Sequence, residues 1–167
     1  MLRWVAGVFV LAAALSAPWL ALSAGAEQPT PVRERLVGTW RLVTYQIIGE
    51  DGKPARPGAY DVGRITYDRS GQMSAQLMHS SQKADKPPAT DEERVAAYRR
   101  YLGYFGPFSV DEARGIVVHH VAGSSNPSFV GSDLVRHYTF SSDGNQLTLA
   151  VKNGERVTQT LLWERIR

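Results

Sequence analysis

Short apolar segments separated by turn sequences recur along most of this chain. Asp143-Gly144 and Asn153-Gly154 each lie between two segments rich in leucine, β-branched and aromatic residues, and residues 68–71 divide two others. Asp-Gly and Asn-Gly pairs in such positions are the strongest short-range signals for a β-hairpin. The sequence therefore predicts antiparallel strands that follow one another directly along the chain.

Eight segments have the composition or the alternation of strands. After Gly71, the apolar residues Met73, Ala75 and Leu77 alternate with polar ones, which is typical of a sheet with one solvated face. The predicted strands span 36–48, 63–67, 72–79, 104–110, 115–121, 130–140, 146–151 and 155–166. We expect an all-β fold: an eight-stranded antiparallel up-and-down barrel, which has no free edges. Such a barrel either packs its interior with side chains or holds one small ligand.

One short helix is also predicted. Thr90 and Glu93 have the spacing of a capping box, in which each residue bonds the backbone of the other. Val95, Tyr98 and Leu102 fall on one face of the helix that would follow. We expect this helix to pack over the mouth of the barrel.

The amino-terminal residues have the features of an export signal. Arg3 supplies a positive charge, residues 4–22 are almost wholly apolar, and Ala24-Gly25-Ala26 offers the small residues that signal peptidases recognise. We expect cleavage after Ala26, no stable membrane span afterwards, and a periplasmic or secreted protein. The predicted parts of the chain are a signal peptide (1–26), a flexible lead-in (27–35) and a barrel domain (36–167).

Composition excludes several classes of function. The chain has no cysteine, so disulfides, thiol chemistry and a lipid-modified terminus of the bacterial lipoprotein kind are excluded. Removing residues 1–26 takes away one arginine and no acid, which lowers the formal charge from +3 to +2 and does not favour nucleic-acid binding. No hydrolase, zinc-protease, phosphate-loop or dinucleotide motif is present, so we predict no cofactor. The spacing of the histidines predicts no metal site.

Six motifs, taken in order, resemble those of the bacterial and fungal lipocalin-like domain family. They are Gly38-Thr39-Trp40, Gly63-Arg64-Ile65-Thr66-Tyr67, Ser70-Gly71-Gln72-Met73, Tyr104-Phe105-Gly106-Pro107-Phe108-Ser109-Val110, His119-His120-Val121, and Asn126-Pro127-Ser128-Phe129-Val130-Gly131 followed by Arg136. The chain departs from the family in having Ser70 where Asp is more usual. The resemblance covers essentially all of the predicted mature chain. It implies an eight-stranded barrel with a ligand cavity, in a family most of whose members have no assigned ligand.

The same resemblance gives Trp40 an architectural role. In lipocalins the tryptophan of the Gly-x-Trp signature closes one end of the barrel and packs against a basic residue of the last strand. By position, Arg165 is the expected partner, through a cation–π contact of about 0.5–2 kcal/mol. We therefore do not count Trp40 among the binding residues.

Arg136 is the strongest candidate for a binding residue. On an alternating strand it shares a face with Leu134, Tyr138 and Phe140, an apolar set that we expect to face the interior. An unpaired charge there would be costly, so Arg136 must meet either an interior carboxylate or an anionic group on a ligand. Both alternatives remain open from the sequence.

Adjacent histidines and a tyrosine cluster add further candidates. His119 and His120 point to opposite faces of one strand, so only one can line a cavity; His120 is preferred here. Tyr104, at the exit of the predicted helix, suits the rim of a pocket because it combines apolar area with a hydroxyl. The predicted ligand-binding residues are Arg136, His120, His119, Tyr138 and Tyr104.

Three functions are compatible with these predictions. The first is an exported protein that binds a small hydrophobic or amphipathic molecule in the barrel, with any carboxylate held by Arg136. The second is a small isomerase or cyclase with a cavity histidine as general acid/base and Arg136 or a tyrosine stabilising negative charge. The third is a packed barrel that acts through protein–protein contacts on its outer surface. A hollow interior with inward polar groups would argue against the third.

Overall fold

The computed structural model describes residues 30–82 and 86–167. The predicted signal peptide lies outside this part of the chain. Residues 32–35, predicted to belong to a flexible lead-in, and Leu36, predicted to begin the first strand, instead form a short helix, α1 (Val32–Leu36), whose two end residues are buried in the core. This segment differs from the prediction because Val32 and Leu36 have apolar surface to bury against one end of the barrel.

One antiparallel sheet contains all the strands of the described chain. Its strands are β1 (Gly38–Ile48), β2 (Pro54–Pro57), β3 (Val62–Tyr67), β4 (Gln72–Met78), β5 (Tyr101–Asp111), β6 (Ile116–His120), β7 (Gly123–Ser124), β8 (Asp133–Phe140), β9 (Gln146–Asn153) and β10 (Arg156–Arg165). Eight of them form a closed ring in the order β1, β3, β4, β5, β6, β8, β9, β10, and β10 pairs with β1. The prediction of an eight-stranded antiparallel barrel is confirmed. The short strands β2 and β7 pair with β1 and β5.

Alternation along the strands separates the core from the solvent. On β4, Met73, Ala75 and Leu77 are buried while Gln72 and Gln76 are exposed, as the sequence pattern predicts. The other barrel strands except β8 also contribute buried residues, and nearly all of these side chains form a single core cluster. From β8, the partly buried Leu134, Tyr138 and Phe140 pack against that cluster.

The predicted capping box begins the second helix, α2 (Asp91–Arg99). The Glu93 amide donates to Thr90 Oγ1 at 3.2 Å, and the Thr90 amide donates to Glu93 Oε2 at 3.2 Å. The helix is shorter than expected, because the chain enters β5 at Tyr101 and pairs with β4 from Met78 onward. Leu102 is therefore a strand residue rather than part of the helix face.

The loop between β6 and β8 is more structured than predicted. Residues 127–129 form a 3₁₀ turn, so β8 begins at Asp133 rather than at residue 130. Gly106 lies on β5 between the part that pairs with β7 and the part that pairs with β6. A Cβ atom at Gly106 would lie 2.0 Å from the carbonyl oxygen of His120, so only glycine allows these two backbone segments to approach this closely.

Candidate functional site

One end of the barrel is closed by α1 and by the contact that the sequence predicts. The Arg165 guanidinium lies 4.0 Å from the centre of the Trp40 ring and donates to the carbonyl oxygens of Arg35 and Val37, at 2.6 and 2.8 Å. The Trp40 indole donates to the carbonyl of Leu36 at 2.9 Å. Burial lowers the pKa of Arg165. The predicted partnership of Trp40 and Arg165 is confirmed.

A cavity of about 490 Å³ occupies the interior of the barrel. Its deeper wall is apolar and includes Ile65, Leu77 and Leu149, all of which are buried. Tyrosines from β5 and α2 line the more exposed part, where Tyr98 is 53% exposed. The cavity thus combines an apolar interior with an aromatic mouth, which is the usual composition of a small-molecule site.

Arg136 lines this cavity, as expected from its position on β8. Its Nη1 donates to the carbonyl of Val135 at 2.9 Å. None of the cavity-lining residues is acidic, and no ion pair involves Arg136 in the described part of the chain. The interior carboxylate that could have neutralised Arg136 is therefore not found among the described residues.

His119 lies behind the cavity wall, fully buried between two tyrosines. Its Nε2 is 2.7 Å from the Tyr67 hydroxyl, and its Nδ1 is 3.1 Å from the Tyr104 hydroxyl. Burial lowers the pKa of His119 well below its usual value, and the nearby charges of Arg136 and His120 act in the same direction. His119 is therefore neutral at physiological pH.

Tyr104 connects this buried group to the cavity. Its ring is buried and lines the cavity wall, deeper than the rim position that we expected. Burial raises the pKa of Tyr104, while the adjacent Arg136 opposes that rise. Burial raises the pKa of Tyr67 to well above its usual value. The four side chains of Tyr67, His119, Tyr104 and Arg136 thus form one continuous polar network, which we call the Tyr–His–Tyr–Arg network.

His120 faces outward, so the preference for it as the cavity histidine is wrong. Its side chain is 40% exposed, with Nε2 at 2.9 Å from Ser109 Oγ and Nδ1 at 2.7 Å from Asp133 Oδ1. The reason is parity: the pairing partners of His119, Phe108 and Leu134, face the interior, which leaves its neighbour outside.

Ser109, His120 and Asp133 have the hydrogen-bond connectivity of a Ser-His-Asp triad. They lie on the outer face of the barrel, and none of them lines the cavity. Ser109 and Asp133 are exposed to solvent. These three residues therefore form a hydrogen-bonded group on the outer face that is separate from the cavity.

Tyr138 faces inward but does not line the cavity. It lies beside Phe140, with ring centres 5.9 Å apart, and packs against the core. The guanidinium of Arg35, near the closed end, covers the Phe140 ring at 4.1 Å. Of the predicted site residues, the structure therefore brings Arg136, Tyr104 and His119 together, and it leaves Tyr138 and His120 elsewhere.

Two residues at or near the cavity were not predicted from the sequence. Tyr67 shares its parity with the buried Ile65, and that signal could have placed it inside. Trp163 lines the cavity, and its indole nitrogen is buried without a hydrogen-bond acceptor in the described chain. No pattern in the sequence distinguishes Trp163 from an ordinary core tryptophan.

Over residues 30–82 and 86–167, no three histidine, aspartate or glutamate side chains are grouped as metal ligands would be. Within the same ranges, no helix has both the length and the apolar character needed to cross a membrane.

Comparison with known proteins identifies the family. No curated protein matches the sequence. Among solved structures, a redesigned β-barrel is similar with a TM-score of 0.39 and 13% sequence identity, over 81% of this chain and 95% of that one. The sequence model of the lipocalin-like domain matches residues 37–166. This match spans most of the chain, which belongs to the lipocalin-like domain family.

Proposed function

We propose that this protein binds a small amphipathic molecule in the barrel cavity and holds an acidic group of that molecule on Arg136. One observation carries the proposal: the Arg136 guanidinium lines a largely apolar cavity in which no lining residue is acidic. A charge in such a place is costly unless it is paired. An anionic ligand would supply the missing partner.

The dimensions and composition of the cavity support a ligand of this kind. Its volume of about 490 Å³ falls within the range of sites for small organic molecules. Each methylene group buried against the apolar wall would contribute about 0.8 kcal/mol, and the acidic group would set the orientation. Affinity would therefore come mainly from the apolar part and selectivity from Arg136.

Export is part of the proposal and rests on the amino-terminal sequence. The positive residue, the apolar segment and the small residues up to Ala26 support cleavage by a signal peptidase. A barrel without cysteine folds independently of the redox state of its compartment. We therefore propose that the protein binds its ligand in the periplasm or outside the cell.

One observation favours a second function, that of a small isomerase or cyclase. His119 contacts the Tyr104 hydroxyl, which lines the cavity beside Arg136, so a buried acid/base group lies one hydrogen bond from a bound molecule. In that case a His119→Gln protein should still bind its substrate but fail to convert it. Binding with undiminished conversion would remove the acid/base role. The hollow interior argues against the packed-barrel hypothesis.

The first experiment is native mass spectrometry of protein purified without detergent, followed by solvent extraction of whatever is bound. We expect a stoichiometric, acidic and largely apolar passenger in the wild type and little of it in the Arg136→Gln protein. Arg41→Gln is the matched control, because it removes an equal charge from an exposed ion pair with Glu164. A neutral passenger retained equally by all three proteins would overturn the role of Arg136.

A further inference from the structure

Hydrogen positions in the Tyr–His–Tyr–Arg network follow from its burial. A neutral histidine has one ring nitrogen that donates and one that accepts. His119 contacts one tyrosine hydroxyl at each nitrogen, so one hydroxyl must donate to the ring and the other must accept from it. Two arrangements satisfy this condition, and they differ in which hydroxyl keeps a free hydrogen.

The surroundings of Tyr67 decide between the two. Tyr67 is 1% exposed, and its hydroxyl has no hydrogen-bond partner other than His119 in the described chain. If Nε2 of His119 carried the proton, the Tyr67 oxygen would accept it and the hydroxyl hydrogen would be buried without an acceptor. Such unsatisfied donors are rare because the cost of desolvation is not recovered. Tyr67 therefore donates to Nε2, and the proton of His119 lies on Nδ1.

This assignment determines the direction of the Tyr104 hydroxyl. The Nδ1–H group of His119 donates to the Tyr104 oxygen, so the hydrogen of that hydroxyl must point elsewhere. Tyr104 lines the cavity, and the adjacent Arg136 has only N–H donors to offer it. The free hydrogen is therefore available to a molecule in the cavity, next to the Arg136 guanidinium.

We propose that the buried Tyr67–His119 pair orients the Tyr104 hydroxyl into the cavity, so that Tyr104 and Arg136 together form a two-donor site for the oxygens of a ligand carboxylate. This inference rests on the proposed function and specifies the ligand class. Tyr104 and Arg136 are contact residues, whereas Tyr67 and His119 are positioning residues. An amide or an amine would fit less well, because its own N–H groups would face two donors.

The network ends at Tyr67 within the described chain. Tyr67 is the far end of the chain, and its hydroxyl contacts only His119 among the described residues. No further group continues the chain from Tyr67 toward solvent in the described structure. The network therefore fixes one hydrogen-bond direction.

The first test needs no ligand. In a long-range proton–nitrogen NMR spectrum of protein with isotope-labelled histidine, we expect His119 to carry its proton on Nδ1. The other three histidine signals can be assigned by substituting His79, His120 and His137 in turn with glutamine. Tyr67→Phe should leave Nε2 without its donor and change the chemical shift of that nitrogen, whereas Tyr138→Phe should leave both ring-nitrogen signals unchanged. A proton on Nε2 in the wild type overturns the proposal, whatever the protein binds.

The second test compares dodecanoate with dodecanol by isothermal titration calorimetry. Tyr104→Phe should weaken dodecanoate binding at least about tenfold, since a hydrogen bond to a charged group is lost, and weaken dodecanol binding much less, since the alcohol oxygen is a neutral acceptor. Tyr138→Phe is the matched control, because it removes an inward-facing hydroxyl that does not line the cavity. We expect it to change neither affinity.

Each other outcome has a distinct meaning. If Arg136→Gln weakens dodecanoate binding but Tyr104→Phe does not, the two-donor site is overturned and the proposed function stands. Equal weakening of both probes by Tyr104→Phe would show that the ring acts through packing, which also overturns the site. A wild-type protein that binds neither probe overturns the carboxylate site together with the proposed function.

Discussion

The Arg165 guanidinium covers the Trp40 ring at 4.0 Å and ties the last strand of the barrel to the segment that precedes the first. Trp40 and Arg165 are also paired residues where β1 meets β10. The contact therefore joins the two strands that close the barrel and seals the end opposite the mouth. It leaves the cavity accessible from one side.

Replacing Arg165 by lysine should destabilise the protein by about 1–3 kcal/mol, because lysine keeps the charge but loses the planar stacking and the two-carbonyl hydrogen bonding. Urea unfolding followed by tryptophan fluorescence would measure the change. Arg41→Lys is the control, since its ion pair with Glu164 is exposed and should be worth less than about 1 kcal/mol. Equal effects of the two substitutions would contradict a closing role for Arg165.

The fold could be predicted largely because its signals are local. Turn pairs such as Asp143-Gly144 and the alternation of Met73, Ala75 and Leu77 each depend only on neighbours in sequence. The predictions were wrong where contacts between residues distant in sequence determine the local structure. Val32 and Leu36 form α1 against the barrel end, and pairing of β5 with β4 ends α2 before Leu102.

The site could be predicted only in part, for a similar reason. Parity on one strand placed Arg136 in the interior, but it could not choose between His119 and His120, whose flanking residues are equally apolar. That choice is made by neighbouring strands: His119 faces inward with Phe108 and Leu134. Tyr67 contacts His119, which lies 52 residues later in the sequence, so no local sequence pattern could predict the contact.

The stability of the protein should depend on pH through His119. Burial lowers the pKa of His119 in the folded state, whereas in the unfolded chain its pKa is about 6.5. The unfolded state therefore binds more protons below that pH, and the free energy of unfolding falls as the pH falls, by up to about 1.4 kcal/mol per pH unit. This loss should begin at about pH 6.5 and be absent above it. Urea unfolding at a series of pH values would measure it.

His119→Gln should reduce this slope, whatever it does to stability at neutral pH. His137 contributes a smaller part in the same direction, because burial also lowers its pKa. The aspartates with lowered pKa values, such as Asp143 at about 2, lose their contribution only in more acidic solution. A slope that is the same with and without His119 would contradict the buried neutral state.

Ser109 should not react with a fluorophosphonate probe, despite its hydrogen bond to His120. A serine nucleophile also needs bound substrate and donors for the developing oxyanion, and Ser109 lies on the outer face away from the cavity. Mass spectrometry of the treated protein would reveal a covalent adduct. Labelling of Ser109 that disappears in an Asp133→Asn protein would instead establish an active triad on the barrel surface.

Replacing Arg136 by methionine should stabilise the ligand-free protein by about 1 kcal/mol. The substitution removes a cation that has no acidic partner among the described residues, and it keeps an extended side chain in the cavity. Urea unfolding of protein stripped of bound molecules would measure the gain, with Arg64→Met on the exposed face of β3 as the control that should change stability by less than about 0.5 kcal/mol. An added carboxylate ligand should reverse the order, because it stabilises only the protein that can bind it. If Arg136→Met destabilised the ligand-free protein, Arg136 would be a structural residue. Its charge in the cavity would then be explained without a ligand.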